Sequence, residues 1–276
     1  MADTAQVSRP ATKETEDEKV ARLLAQGYSV RIEPCPRRLR VHFAGQVVAD
    51  TTRAVYLFET KHLPVYYLPL ADVRQDLLEP SSTRTRCPFK GEATYRSLVV
   101  GARRSDDALW GYPFPIESCP DISQYVAFYW DRVDAWFEED EQVFVHPRDP
   151  YHRVDVLESS RHVEVVVGGD VVADSHRPRL LFETGLPTRY YLPRLDVRTD
   201  LLTPSDTETA CPYKGWASYW SYTGAGQHKD DVAWCYRTPI AEQARIANLI
   251  CFFNERVDQI RVDGVALERP RTPWSR

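Results

Sequence analysis

Val163, Val165 and Val167 alternate with Glu164 and Val166 ahead of Gly168-Gly169, and Val171-Val172-Ala173 follow. A period of two that runs into a glycine pair predicts a strand, a tight turn and a returning strand, because successive strand side chains point to opposite faces. The same turn recurs more weakly at Ala44-Gly45. A second hairpin is predicted where Thr207, Thr209 and Cys211 share one strand face, Lys214-Gly215 turns, and Ala217 and Tyr219 return. Helical spacing is rarer. Ile246, Leu249, Ile250 and Phe253 lie three, four and seven residues apart, which predicts one covering helix in each half of the chain, from near Asp121 to Trp130 and from near Ala241 to Phe253. At the start, Thr15-Glu16-Asp17-Glu18 has the pattern of a capping box opening a short helix through Leu23 and Leu24, with Gly27 placed to end it.

The two halves are copies. Shifting the chain by 124 positions aligns Gly45 to Asp50 with Gly169 to Asp174, Phe58-Glu59-Thr60 with Phe182-Glu183-Thr184, and Tyr66-Tyr67-Leu68-Pro69 with Tyr190-Tyr191-Leu192-Pro193. The same shift aligns Cys87-Pro88-Phe89-Lys90-Gly91 with Cys211-Pro212-Tyr213-Lys214-Gly215, and Arg132-Val133-Asp134 with Arg256-Val257-Asp258. About 42 of roughly 90 positions are identical, so one fold serves both halves. The predicted organisation is a disordered tail and short helix over 1–27, repeats over 28–146 and 152–265, a proline-broken linker at 147–151 and a tail over 266–276. A short linker and equivalent exposed surfaces predict that the repeats pack on each other. The fold class expected is mainly β, formally α+β.

Composition narrows the functions. A net charge of -5 and a pI near 5.8 give no global positive field for nucleic acid or an anionic membrane. The polar N-terminus does not resemble a signal peptide and no apolar run approaches a bilayer span, which predicts a cytoplasmic protein. Six cysteines form no Cys-x-x-Cys pair and no zinc-finger spacing with histidine, so neither a structural metal, another cofactor nor a disulfide is expected.

Chemistry concentrates in the aligned motifs. A thiol at Cys211 or Cys87 on a polar strand face, with Lys214 or Lys90 three residues on, could be prepared as a nucleophile, or could fill space under the turn. Asp196-x-Arg198-x-Asp200 and Asp72-x-Arg74-x-Asp76, read as strands, put Arg198 and Arg74 between carboxylates, either facing an anionic ligand or fixing register. Trp234 and Tyr236 with Tyr191, and Trp110 and Tyr112 with Tyr67, form an aromatic wall or a core. Glu183 and Glu59 are candidates for general acid or base, with no partner visible.

The string Phe182-Glu183-Thr184-Gly185, Tyr190-Tyr191-Leu192-Pro193, Asp196-Val197-Arg198, Cys211-Pro212-Tyr213-Lys214-Gly215 and Ala233-Trp234-Cys235-Tyr236 resembles the family called domain of unknown function 427. The resemblance covers nearly all of both repeats and implies a β-tent-like fold, similar to methionine sulfoxide reductase B and the thalidomide-binding domain of cereblon. It does not bring the zinc site of many β-tent proteins, since the two Cys-x-x-Cys pairs are missing here. A nucleotidyltransferase label attached to the family would need a Gly-Gly or Gly-Ser element and two magnesium-binding carboxylates; Gly168-Gly169 with Asp170 and Asp174 fits poorly, and the first copy has Ala44-Gly45-Gln46. Three functions stand open: a small-molecule-binding tandem with one pocket per repeat, an enzyme using Cys211 or Cys87 as nucleophile or Lys214 or Lys90 as acid or electrophile, and a structural or protein-interaction module.

Overall fold

The computed structural model describes residues 15–275, so the predicted disordered tail over 1–14 lies outside the described residues. Two compact units, Met1–His146 and Pro147–Arg276, are built alike. In the first, a seven-stranded antiparallel sheet runs in the order Val30–Pro34, Val55–Glu59, Val65–Pro69, Tyr125–Phe128, Arg103–Gly111, Gly91–Val100, Leu78–Cys87. The second unit repeats that order as Val154–Glu158, Arg179–Glu183, Arg189–Leu192, Ile250–Phe252, Lys229–Pro239, Gly215–Tyr222, Leu202–Cys211. A four-stranded sheet faces each large one; in the second unit it comprises Asp170–Ser175, Val163–Val167, Gln259–Val262 and Val265–Ala266.

Each large sheet has two buried faces. The inner face packs against the small sheet, as Leu39, Val41 and Trp136 meet Tyr66, Leu68 and Phe128 in the first unit. The outer face carries a second apolar cluster, with Leu57, Tyr67, Tyr112 and Ala127 in the first unit and Leu181, Tyr191, Trp234, Tyr236 and Cys251 in the second.

This double burial corrects the two covering helices. The segments expected to be helical supply a central strand instead, Tyr125–Phe128 or Ile250–Phe252, preceded in the second unit by a 3-10 stretch at Ala241–Ile246. Ile250 and Phe252 point into the inter-sheet core, while Cys251 and Phe253 join the outer cluster. A strand buried on both faces is apolar at every position, so its residues also satisfy a helical spacing. The one α-helix found among the described residues is Glu16–Ala25, where Thr15 and Glu18 form both arms of the capping box.

Turn chemistry follows the sequence closely. Gly168 and Gly169 both have positive φ, as a two-residue hairpin turn requires, and Ala44 and Gly45 do the same in the first unit. A Cβ on Gly168 would lie 2.6 Å from the Tyr222 ring, whereas Ala44 is accommodated where Leu98 stands in place of that tyrosine. Asp258 accepts the Gly168 amide at 2.5 Å and Asp134 accepts that of Ala44 at 2.7 Å, which accounts for the repeated Arg-Val-Asp motif. Gly168→Ala is expected to cost about 1–3 kcal/mol through this overpacking. Thermal denaturation should show the loss, and adding Tyr222→Leu, which recreates the first unit's pairing, should recover part of it.

Candidate functional site

Glu183 and Glu59 end the second strand of each large sheet, two residues beyond Leu181 and Leu57 of the outer cluster, and therefore point to that same face. The hairpin turn between the last two strands of the sheet, Leu78–Cys87 with Gly91–Val100 or Leu202–Cys211 with Gly215–Tyr222, brings a lysine to each. Lys214 Nζ donates to Glu183 Oε2 at 2.6 Å, and Lys90 donates to Glu59 in the same way. The other carboxylate oxygen takes a ring residue from the segment entering the repeat: His152 Nε2 lies 3.0 Å from Glu183 Oε1, and Tyr28 donates its hydroxyl to Glu59 Oε1 at 2.6 Å. That ring stacks on the aromatic residue before the lysine, His152 on Tyr213 at 4.1 Å and Tyr28 on Phe89 at 4.0 Å.

These are buried groups. Glu183 is 5% and Lys214 10% exposed. Burial pushes the carboxyl of Glu183 up, but the Lys214 ammonium and His152 outweigh it and hold the group below its ordinary value; Lys90 and Tyr28 do the same for Glu59. The Phe-Glu-Thr motif becomes intelligible here, since Thr184 and Thr60 accept the main-chain amides just before the edge strand, from Arg153 at 2.9 Å and Ser29 at 3.0 Å.

Other candidates fall elsewhere. Asp72 to Asp76 and Asp196 to Asp200 are not strands but successive 3-10 turns, Leu70–Asp72 with Gln75–Leu77 and Arg194–Asp196 with Thr199–Leu201. The two carboxylates consequently diverge. Asp196 accepts from Ser175 and Arg177, while the Arg198 fork closes on Asp200 at 2.9 and 2.7 Å and is largely exposed. Arg74 closes on Asp76 in the same manner. The order of residues in a 3-10 turn does not put alternate side chains on one face, which is why the strand reading fails.

Trp234, Tyr236 and Tyr191 do share a face, and it is packed. All three are buried in the outer cluster, and Trp234 Nε1 donates to the Tyr191 hydroxyl at 3.1 Å. Tyr67 and Tyr112 are likewise buried, and Trp110 packs beside them against Tyr129. Cys211 and Cys87 lie half-buried at the margin of these clusters. Cys251, sealed inside one, has its thiol pushed up to about 12 by burial.

The cleft in the first unit lies elsewhere. It encloses about 380 Å³ and is lined by Leu70, Arg84, Thr94, Arg96, Gly111 and Tyr125, among others, with Tyr112 the sequence-predicted site residue that touches it. Thr94 and Arg96 alternate with Ala93 and Tyr95 of the outer cluster, so their side chains leave the sheet on its other face, while Tyr95, Tyr112 and Tyr125 of the outer side also border the cleft. Among the described residues Arg84 donates only to the main-chain carbonyls of Ser81 and Thr83, and Arg96 has no carboxylate partner. At the matching positions of the second unit stand Arg194, Glu208, Trp220 and Cys235, and the Arg194 guanidinium lies over the Trp220 ring, 5.3 Å from its centroid.

The sequence model of the family described as Domain of unknown function (DUF427) matches residues 31–139 and again 155–263. The chain belongs to that family, in two copies. No curated protein matches it. Within the DUF427 repeats, His152 and Tyr28 escape sequence reading because they differ between the copies; their only signal is that both precede a strand and sit at the shift of 124. A second buried pair, Arg189 with Glu255, belongs to the second repeat alone, since Val65 and Asp131 occupy those positions in the first. No helix of the described residues is long and apolar enough to cross a membrane.

Proposed function

We propose that this DUF427 tandem binds a small anionic molecule in the cleft of its first repeat. The observation that carries the reading is Arg96, a half-buried guanidinium without a carboxylate partner among the described residues, lining a cavity of ligand size. A fork of donors that the protein leaves unmatched favours a carboxylate or phosphate ester, and Arg84 at the same wall adds a second positive charge. Tyr125, Thr94 and Leu70 supply a mixed wall suited to a planar body beside the anion. The second repeat, with Trp220 and Glu208 at these positions, would not share the site.

Thiol chemistry has less support. In both repeats the ammonium three residues from the cysteine is engaged by a carboxylate, so its charge is already committed. The Lys-Glu-ring cluster reads better as the tie that holds the hairpin to the entering strand.

Benzoate and phenyl phosphate serve as probes in calorimetry. Arg96→Ala is expected to weaken whichever of them binds by roughly tenfold to a hundredfold, the range for losing a hydrogen bond to a charged group. Trp220→Ala should leave the affinity unchanged. Equal affinity in wild type and Arg96→Ala, or no binding of either probe, contradicts the proposal.

A further inference from the structure

We propose a second site, independent of the cleft: a divalent transition-metal site on the first hairpin of the second repeat, held by His162, Asp174 and His176. Pairing of Val163 with Ser175 and of Glu164 with Asp174 puts His162 across from His176 and Glu164 across from Asp174. One ligand atom from each of His162, Asp174 and His176 lies within 4.8 Å of the other two. The imidazoles stack at 4.1 Å and 11°, and His162 Nε2 is 2.8 Å from Asp174 Oδ1.

The internal duplication provides the second observation. In the first repeat the same four positions hold Arg38, Arg40, Asp50 and Thr52. There Arg38 closes its fork on Asp50 at 2.7 and 2.5 Å, and Arg40 reaches Asp140 at 2.7 Å. The second repeat keeps the aspartate and replaces both arginines and the threonine with His162, Glu164 and His176. Two fixed cations have given way to three groups with lone pairs. The nearby Arg161 is turned to Asp263 at 2.7 Å, and Arg261, beside Glu164 in the sheet, donates to Gln259.

Two imidazoles and a carboxylate suit zinc, which takes N and O donors in a tetrahedral shell. The donors sit on a half-open surface, so their rotamers can close on an ion without moving the strands, and water or Glu164 completes the shell. The arrangement is invisible to spacing rules in the sequence because it joins the two strands of a hairpin.

Calorimetric titration of the full chain, freed of metal with a chelator, uses zinc chloride as the probe. One equivalent is expected to bind with micromolar affinity. His176→Ala is expected to lose saturable binding, and so is His162→Arg, a change that restores the first repeat's ion pair and so protects the fold. Cys87→Ser, Cys211→Ser and Asp50→Asn should leave the isotherm unchanged. The proposal is overturned if wild type takes up no zinc saturably, or if both histidine variants keep the wild-type isotherm.

Discussion

Arg189→Met destabilises the second repeat by about 3–5 kcal/mol, the cost of leaving one member of a buried ion pair without its partner. Arg189 meets Glu255 through two hydrogen bonds of 2.7 Å, with side chains 6% and 0% exposed. Asn254 accepts from the same guanidinium and Thr272 donates to Glu255 at 2.6 Å, while the Trp234 and Trp274 rings flank the arginine at 5.5 and 5.6 Å. The C-terminal segment is therefore tied to the repeat through this pair. Chemical denaturation should show the loss, and proteolysis should release the last residues of the variant before those of wild type. Replacing both partners, as Arg189→Val with Glu255→Leu, should cost much less than the single change, because no charge is then stranded in the core.

Lys214→Met strands Glu183 and carries a similar expected cost, about 3–5 kcal/mol near neutral pH. Here pH separates the electrostatic part from the packing part. The folded Glu183 carboxyl lies below its unfolded value, so the stability it confers is complete above the ordinary carboxyl value of about 4.3 and is lost as pH falls through the lower folded value. Without the ammonium, burial dominates and Glu183 binds a proton more readily. The penalty of Lys214→Met should consequently shrink as pH falls toward 4. Urea denaturation at neutral and acid pH checks this, and a penalty that does not change with pH would assign the lysine a packing role only.

Much of the architecture is legible in the sequence because duplication and turns are local or self-referential signals. The identities at a shift of 124 announce two equal folds, and glycines at 168, 169 and 215 mark turns that need positive φ. The helical spacing of Ile246, Leu249, Ile250 and Phe253 misleads because it spans a 3-10 stretch ending at Ile246 and a strand, Ile250–Phe252, that is buried on both faces. Glu183 and Lys214 could each be singled out, as could Glu59 and Lys90, but not as partners, for both pairs lie 31 residues apart and meet only when the sheet forms. A strand at Asp196 to Asp200 or Asp72 to Asp76 leaves Arg198 and Arg74 either facing a ligand or fixing register; the 3-10 turns instead give each a private aspartate. Arg96 is not legible from the duplication because its counterpart is Trp220, and identities between the copies mark only what they share.

The reading that the first repeat alone holds an anion site is tested most directly by amide chemical shifts of isotopically labelled protein titrated with phenyl phosphate and benzoate. Saturable shifts are expected at Thr94, Arg96, Gly111 and Tyr125, with the matching amides of Ser218, Trp220, Cys235 and Leu249 unmoved. Shifts of equal size at both sets, or saturable shifts at neither, would contradict it.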